Sequence, residues 1–141
     1  MERIVVGIDG SEGAATALAW AVEEAARRGA KVEAVYAWSV PFVEPYPYAA
    51  SAFEPEVFES AARTVLDEAV AGVDNDAGVP IEKLPRCGSP ATVLVEAAKG
   101  AGLLVVGSRG RGGFSGLLLG SVSQQVSHHA SCPVVIVPDH G

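Results

Sequence analysis

Leu103–Ser123 reads LLVVGSRGRGGFSGLLLGSVS, and the parsing of this stretch decides the fold. Four apolar residues, Leu103–Val106, run into a loop holding Gly107, Gly110, Gly112, Gly113 and Gly116. The loop closes on Leu117–Leu119 and then Gly120-Ser121-Val122. A short apolar run bounded by glycine reads as a buried parallel strand. Leu118, Val122 and Val126 follow at steps of four with no proline among them, which reads as a helix. A strand, a glycine-rich loop and a helix N-terminus in succession can hold an anion. Glycines let the backbone approach, freed N–H groups point inward, and the helix dipole favours negative charge.

The distribution of charge agrees. The chain carries a net charge of −7, yet from Ala97 to Pro138 it has no Asp or Glu, while Lys99, Arg109, Arg111, His128 and His129 fall in that span. An acidic chain that clears one region of carboxylates and places two arginines in its glycine loop favours a polyanionic ligand there over a solvated loop. At 141 residues, 49% of them hydrophobic, one domain spanning residues 1–141 with an ample core is expected. The acidic balance argues against a general nucleic-acid or anionic-membrane surface. Apolar runs stop too soon for a membrane span. MERIVVGID enters a strand at once, leaving no room for a signal peptide, so a cytoplasmic location is expected. Cys87 and Cys132 are too few for a disulfide framework and suit no metal site.

Working outward, Ile4–Ile8 reads as a first buried strand ending at Asp9-Gly10-Ser11. Ser11 can cap a helix with Glu12 in its first turn. Ala15, Leu18, Ala19, Val22 and Ala26 fall at helical spacing as its core face, and Gly29 stops it. Val32–Trp38 is the second strand. In Ser39–Pro55, four prolines interleave with Phe42, Tyr46, Tyr48 and Phe53, and no regular element is expected. A loop of that length is a binding lid or a mobile segment, and both readings stay open. Phe58, Ala61, Ala62, Val65, Leu66, Ala69, Val70 and Val73 mark a long amphipathic helix ended by Gly78. Ile81–Arg86 is a short third strand. Ser89-Pro90 supplies a cap and a first-turn proline, with Val93, Leu94, Ala97 and Ala98 facing the core up to Gly100. Val134–Val137 is the fifth strand.

The order βαβαβαβαβ implies an α/β fold, a mostly parallel open sheet with helices on both faces. Ligands of such sheets bind at the carboxyl ends of the strands, where the strand order reverses. In the order 3-2-1-4-5 the first and fourth strands are neighbours, so Asp9 and the glycine loop would share one crevice.

A P-loop is absent, because no lysine follows a glycine of the loop in the required register. Gly110-Arg111-Gly112-Gly113-Phe114-Ser115 nearly matches the dinucleotide fingerprint, but the last glycine is missing. It also follows the fourth strand rather than the first, and no acid ends the second strand, so NAD binding is disfavoured. A different spacing fits in full: Gly107-x2-Gly110-x9-Gly120-Ser121. With VVGIDGS at Val5–Ser11 and SCPVVIV at Ser131–Val137, it makes the chain resemble the universal stress protein family, in its ATP-binding branch, along its whole length.

The resemblance implies a Rossmann-like fold, similar to the adenine nucleotide alpha hydrolases, with ATP at the carboxyl ends of the first and fourth strands. Asp9 would lie on the base and ribose side or towards a phosphate-bound Mg2+. Ala37 and Val106 would line the adenine pocket, and Gly107, Gly110, Gly120, Ser121 and Val122 would surround ribose and phosphates. The resemblance also implies a homodimer through Val134–Val137. Edge-strand chemistry points the same way, since an open apolar edge invites aggregation unless its twin covers it.

Physical chemistry supports these sites separately. Gly107 and Gly110 permit backbone conformations that a side chain would forbid, and Gly120 permits close approach. Ser121 brings a hydroxyl and an N–H to the first helical turn, where donors are otherwise unsatisfied. Arg109 and Arg111 can supply charge. Ser11 stands nearer the helix start than Asp9 and takes the cap, which leaves Asp9 for the ligand. His128 and His129 read as surface residues, and Cys132 as a small buried hydrophobe. Cys87 sits at a strand end near the ligand edge, where one thiol makes a weak redox candidate.

The reading that emerges is a dimeric, ATP-binding regulatory module of stress physiology with no catalytic residues. The alternatives are a slow ATPase or phosphotransferase using Asp9 and a divalent metal, for which no positioned base is evident, and a nucleotide-free interaction scaffold, against which the intact glycine motif speaks.

Overall fold

The computed structural model describes residues 1–39, 54–109 and 119–138. The element order is β1 (Arg3–Ile8), α1 (Glu12–Arg28), β2 (Lys31–Trp38), α2 (Pro55–Ala71), β3 (Ile81–Cys87), α3 (Pro90–Ala97), β4 (Leu103–Gly107), α4 (Ser121–His129) and β5 (Val134–Val137). The five strands form one sheet in the order β3-β2-β1-β4-β5. Every neighbouring pair is parallel, with Val6 aligned on Ala34 and Val105, and Gly107 on Val137. This is the doubly wound arrangement that the alternating pattern implies.

Two cores follow from the period-2 alternation of β1. Ile4, Val6 and Ile8 face α1 and α2, packing on Leu18, Ala21, Val22 and Leu66. Val5 faces the other way, with Leu104, Val106, Leu94 of α3 and Val126 of α4. At the carboxyl end of β2, Trp38 stacks on Phe58 of α2 with ring centroids 6.4 Å apart and planes 11° apart. At the opposite end of the sheet Arg3 donates to Glu33 at 2.7 Å and to the carbonyls of Ala97 and Lys99 at 3.1 and 2.6 Å. That guanidinium closes the C-terminal end of α3 and balances a buried carboxylate.

Three local expectations are corrected. The buried face of α1 is Ala14, Ala17, Leu18, Ala21, Val22 and Ala25, whereas Ala15, Ala19 and Ala26 are exposed. Leu18 and Val22 are common to both readings, but alanines surround them on either side and do not fix the rotation of the helix. Next, α2 ends at Ala71, not near Gly78. Gly72 interrupts it, and Gly78 (φ 70°) serves a separate turn whose N–H donates to Asn75 O while the Asn75 side chain bonds both N and O of Val79. Finally, Ser89 occupies the N-cap position of α3, yet its hydroxyl donates to Thr92 Oγ1 at 3.0 Å and makes no capping bond.

Pro55 opens α2 as a first-turn proline, so the proline-rich segment hands over to the helix there. The expectations for Phe42–Phe53, Gly110–Leu118 and Arg111 lie outside the described residues. Among the described residues no helix is long and apolar enough to cross a membrane.

Candidate functional site

A cleft of about 290 Å³ opens at the carboxyl ends of β1 and β4, where the strand order reverses. β1 contributes Gly7, Ile8 and Asp9, and β4 contributes Val106 and Gly107. Val35 and Ala37 come from β2, Pro90 and Leu94 from α3, and Gly120 through Ser123 from the start of α4. Ser11, Ala14 and Arg109 complete the lining. Asp9, Ala37, Val106, Gly107, Arg109, Gly120, Ser121 and Val122, all singled out from the sequence, are thus brought to one place. Gly110 lies outside the described residues.

The floor is set by missing side chains. A Cβ on Gly7 would stand 2.8 Å from Leu94 Cδ1 and 3.4 Å from Val106 Cγ1, so its absence leaves room between α3 and β4. Gly107 has a different reason from the one its position suggests. Its φ is not positive, but a Cβ there would lie 3.0 Å from both the carbonyl carbon and the oxygen of Gly13. Gly13 in turn would meet Arg109 O at 3.0 Å. The two glycines let the first turn of α1 press directly on the end of β4. A glycine inside an alanine-rich helix is unfavourable by itself, so Gly13 was a legible sign of such an approach.

Asp9 sits at the tip of β1, followed by Gly10 with φ 81°. Its Oδ1 accepts the Ser11 N–H at 2.9 Å and also the Ser11 hydroxyl. The same hydroxyl oxygen accepts the Ala14 N–H at 3.1 Å, so Ser11 is the N-cap of α1, as its position implies.

On the other side, Gly120 is the N-cap of α4 with φ −76° and ψ 171°, a conformation open to any residue, and it supplies no capping side chain. Val122 and Ser123 are therefore first-turn residues whose N–H groups lack the partner a Ser or Asp cap would give. Ser123 holds this turn in place. Its buried hydroxyl lies 3.0 Å from both Ser108 O and Gly120 O and shares its one proton between them, and Gly120 N donates to Ser108 O at 2.7 Å. Ser108 N donates to Val137 O at 2.9 Å, which ties the same peptide to β5. Ser108 and Ser123 escape a sequence reading because their partners are set by chain folding, not by spacing.

The lining divides by chemistry. Val35, Ala37, Pro90, Leu94 and Val106 make an apolar wall suited to a flat ring. The amino end of α4 and Arg109 also line it, both favouring negative charge. Among the described lining residues Asp9 carries the only carboxylate. His128 and His129 occupy the exposed last turn of α4 and do not line the cleft. Cys87 ends β3 in an exposed position. Cys132 is half-buried, and burial pushes its thiol above the usual range, against the opposing pull of Arg3. Neither cysteine lines the cleft.

The profile described as the Universal stress protein family matches residues 1–138. This chain belongs to the universal stress protein family. Universal stress protein Rv2005c of Mycobacterium tuberculosis is 44% identical over 134 residues, which cover 94% of this chain and 44% of that protein. A universal stress protein of Mycolicibacterium smegmatis is 39% identical over 135 residues, 95% of this chain and 45% of its own length. This family member spans less than half the length of those curated relatives.

Solved structures agree on the fold. Universal stress protein UspA of Lactobacillus plantarum superposes with a TM-score of 0.76 at 23% identity, covering 96% of this chain and 97% of that one. A universal stress protein solved in complex with cAMP is 34% identical with a TM-score of 0.65, covering 97% and 96%. The universal stress protein of Archaeoglobus fulgidus in complex with dAMP is 26% identical with a TM-score of 0.71, covering 97% and 98%.

Proposed function

We propose that this universal stress protein chain binds an adenine nucleotide, with ATP as the ligand, in the cleft between β1 and β4. The observation that carries the reading is that one cleft is lined both by apolar side chains and by a helix N-terminus with an arginine. The first suits a base, the second a phosphate chain. Universal stress proteins similar to this chain have been solved with cAMP and with dAMP, which supports the same ligand class.

Val35, Ala37 and Val106 flank the base, and Gly107, Arg109, Gly110, Gly120, Ser121 and Val122 surround ribose and phosphates. Asp9 lies beside the ligand. One carboxylate does not make a metal site of its own, so a Mg2+ ion arrives with the phosphates and takes Asp9 as at most one ligand. The chain acts as one nucleotide-binding unit in the cytoplasm, pairs with a second copy through Val134–Val137, and uses the nucleotide as a regulatory ligand rather than as fuel.

The test is to denature freshly purified protein and chromatograph what it releases, then to titrate the stripped protein with ATP, ADP, AMP and cAMP by calorimetry. An adenine nucleotide is expected, with ATP bound most tightly. Gly120→Val is expected to abolish binding while circular dichroism stays unchanged, because valine tolerates the backbone angles found there. No released nucleotide and no heat with any of the four would overturn the reading.

A further inference from the structure

Ser11 touches two things at once. Its hydroxyl oxygen takes the Ala14 N–H at 3.1 Å, which is the capping bond of α1. A hydroxyl has one proton to give, and here that proton goes to Asp9 Oδ1. The Ser11 backbone N–H reaches the same carboxylate oxygen at 2.9 Å. The hydroxyl is therefore held from both sides, by a helix on one and by the carboxylate on the other. Gly10, with φ 81°, supplies the reversal that folds Ser11 back over the Asp9 side chain. A carboxylate oxygen that takes two donors of one neighbour leaves its side chain fewer rotamers. This one is locked to the first turn of a helix whose packing is fixed by Gly13 on Gly107. Both Asp9 and Ser11 line the cleft.

We infer that Ser11 is a positioning residue for the ligand: it holds the Asp9 carboxylate in the orientation presented to the nucleotide, beyond capping α1. The inference rests on the nucleotide reading above. Two substitutions separate the roles. Ser11→Ala removes both the cap and the proton given to Asp9. Ser11→Gly keeps most of the capping preference and removes only the hydroxyl.

Calorimetry with ATP is expected to show about a tenfold loss of affinity in Ser11→Ala and in Ser11→Gly, and near wild-type affinity in Ser11→Thr. The melting temperature is expected to fall clearly only in Ser11→Ala. In an Asp9→Ala background, Ser11→Ala should change ATP affinity by less than about twofold while still lowering the melting temperature, because two residues acting through one interaction are not additive.

Wild-type affinity in Ser11→Gly would reduce Ser11 to a cap, and an equal loss with and without Asp9 would mean that Ser11 acts on the ligand independently of Asp9; either overturns the inference while leaving the nucleotide reading in place. A wild-type protein that binds no adenine nucleotide would overturn both, and is distinguished by being measured first.

Discussion

In the site, Gly13 and Gly107 bring two main chains together with a positive φ at neither. Gly107 would put a Cβ 3.0 Å from the Gly13 carbonyl, and that neighbour is main chain, which cannot swing aside. Gly7 would put one 2.8 Å from Leu94 Cδ1, the far end of a flexible side chain. The nominally tighter contact is thus the cheaper one to relieve. Gly107→Ala is expected to destabilise by roughly 1–3 kcal/mol and Gly7→Ala by less than about 1 kcal/mol. Urea titration checks this through the midpoint at unchanged slope. The glycine spacing of the loop was readable in the sequence, and it led to the right corner of the sheet. The physical duty of Gly107 was not, because it depends on a residue far earlier in the chain. Gly7, Ser123 and Leu94 were unreadable as cleft residues for the same reason: each matters through a neighbour that only the folded chain supplies.

Helix α1 shows what alanine does to an amphipathic pattern. Its apolar residues are mostly one size, so stripes starting at Ala14 and at Ala15 look alike and share Leu18 and Val22. Packing breaks the tie. Ala17 and Ala21 lie fully buried under the sheet, where there is room for a methyl group and no more, while Ala15 and Ala19 face outward. Ala21→Leu is expected to cost about 1–3 kcal/mol through overpacking, and Ala19→Leu to stay within about 0.5 kcal/mol. Equal melting temperatures for the two would refute the observed rotation of the helix. Larger side chains made other elements legible. β1 and β4 carry runs of valine, isoleucine and leucine that admit one reading. The stop of α2 was misplaced because two glycines compete for it and only Gly78 has the left-handed conformation usual at a helix end.

Across the whole molecule, the two edges of the sheet are unlike. β3 carries Glu82, Lys83 and Arg86 and places Pro85 within the strand, all devices that discourage a further strand from adding. β5 is Val134-Val135-Ile136-Val137, with no charge, no proline, and Val134 through Ile136 only half-buried. Pairing of two copies is therefore expected at β5. Light scattering at micromolar concentration should give twice the chain mass, falling to the single-chain mass in Val134→Lys/Ile136→Lys. A wild-type mass of one chain removes the prediction. Nearby, the peptide of Ser108 joins strand β4, strand β5 and the opening of α4 within a few ångströms. Gly120 N lies 2.7 Å from Ser108 O, so the fold itself holds these two positions side by side. Closing the chain between two positions held in this way costs an entropy that grows only with the logarithm of its length, about 0.6 kcal/mol per doubling, so the folded body tolerates a change of length there at little cost in stability.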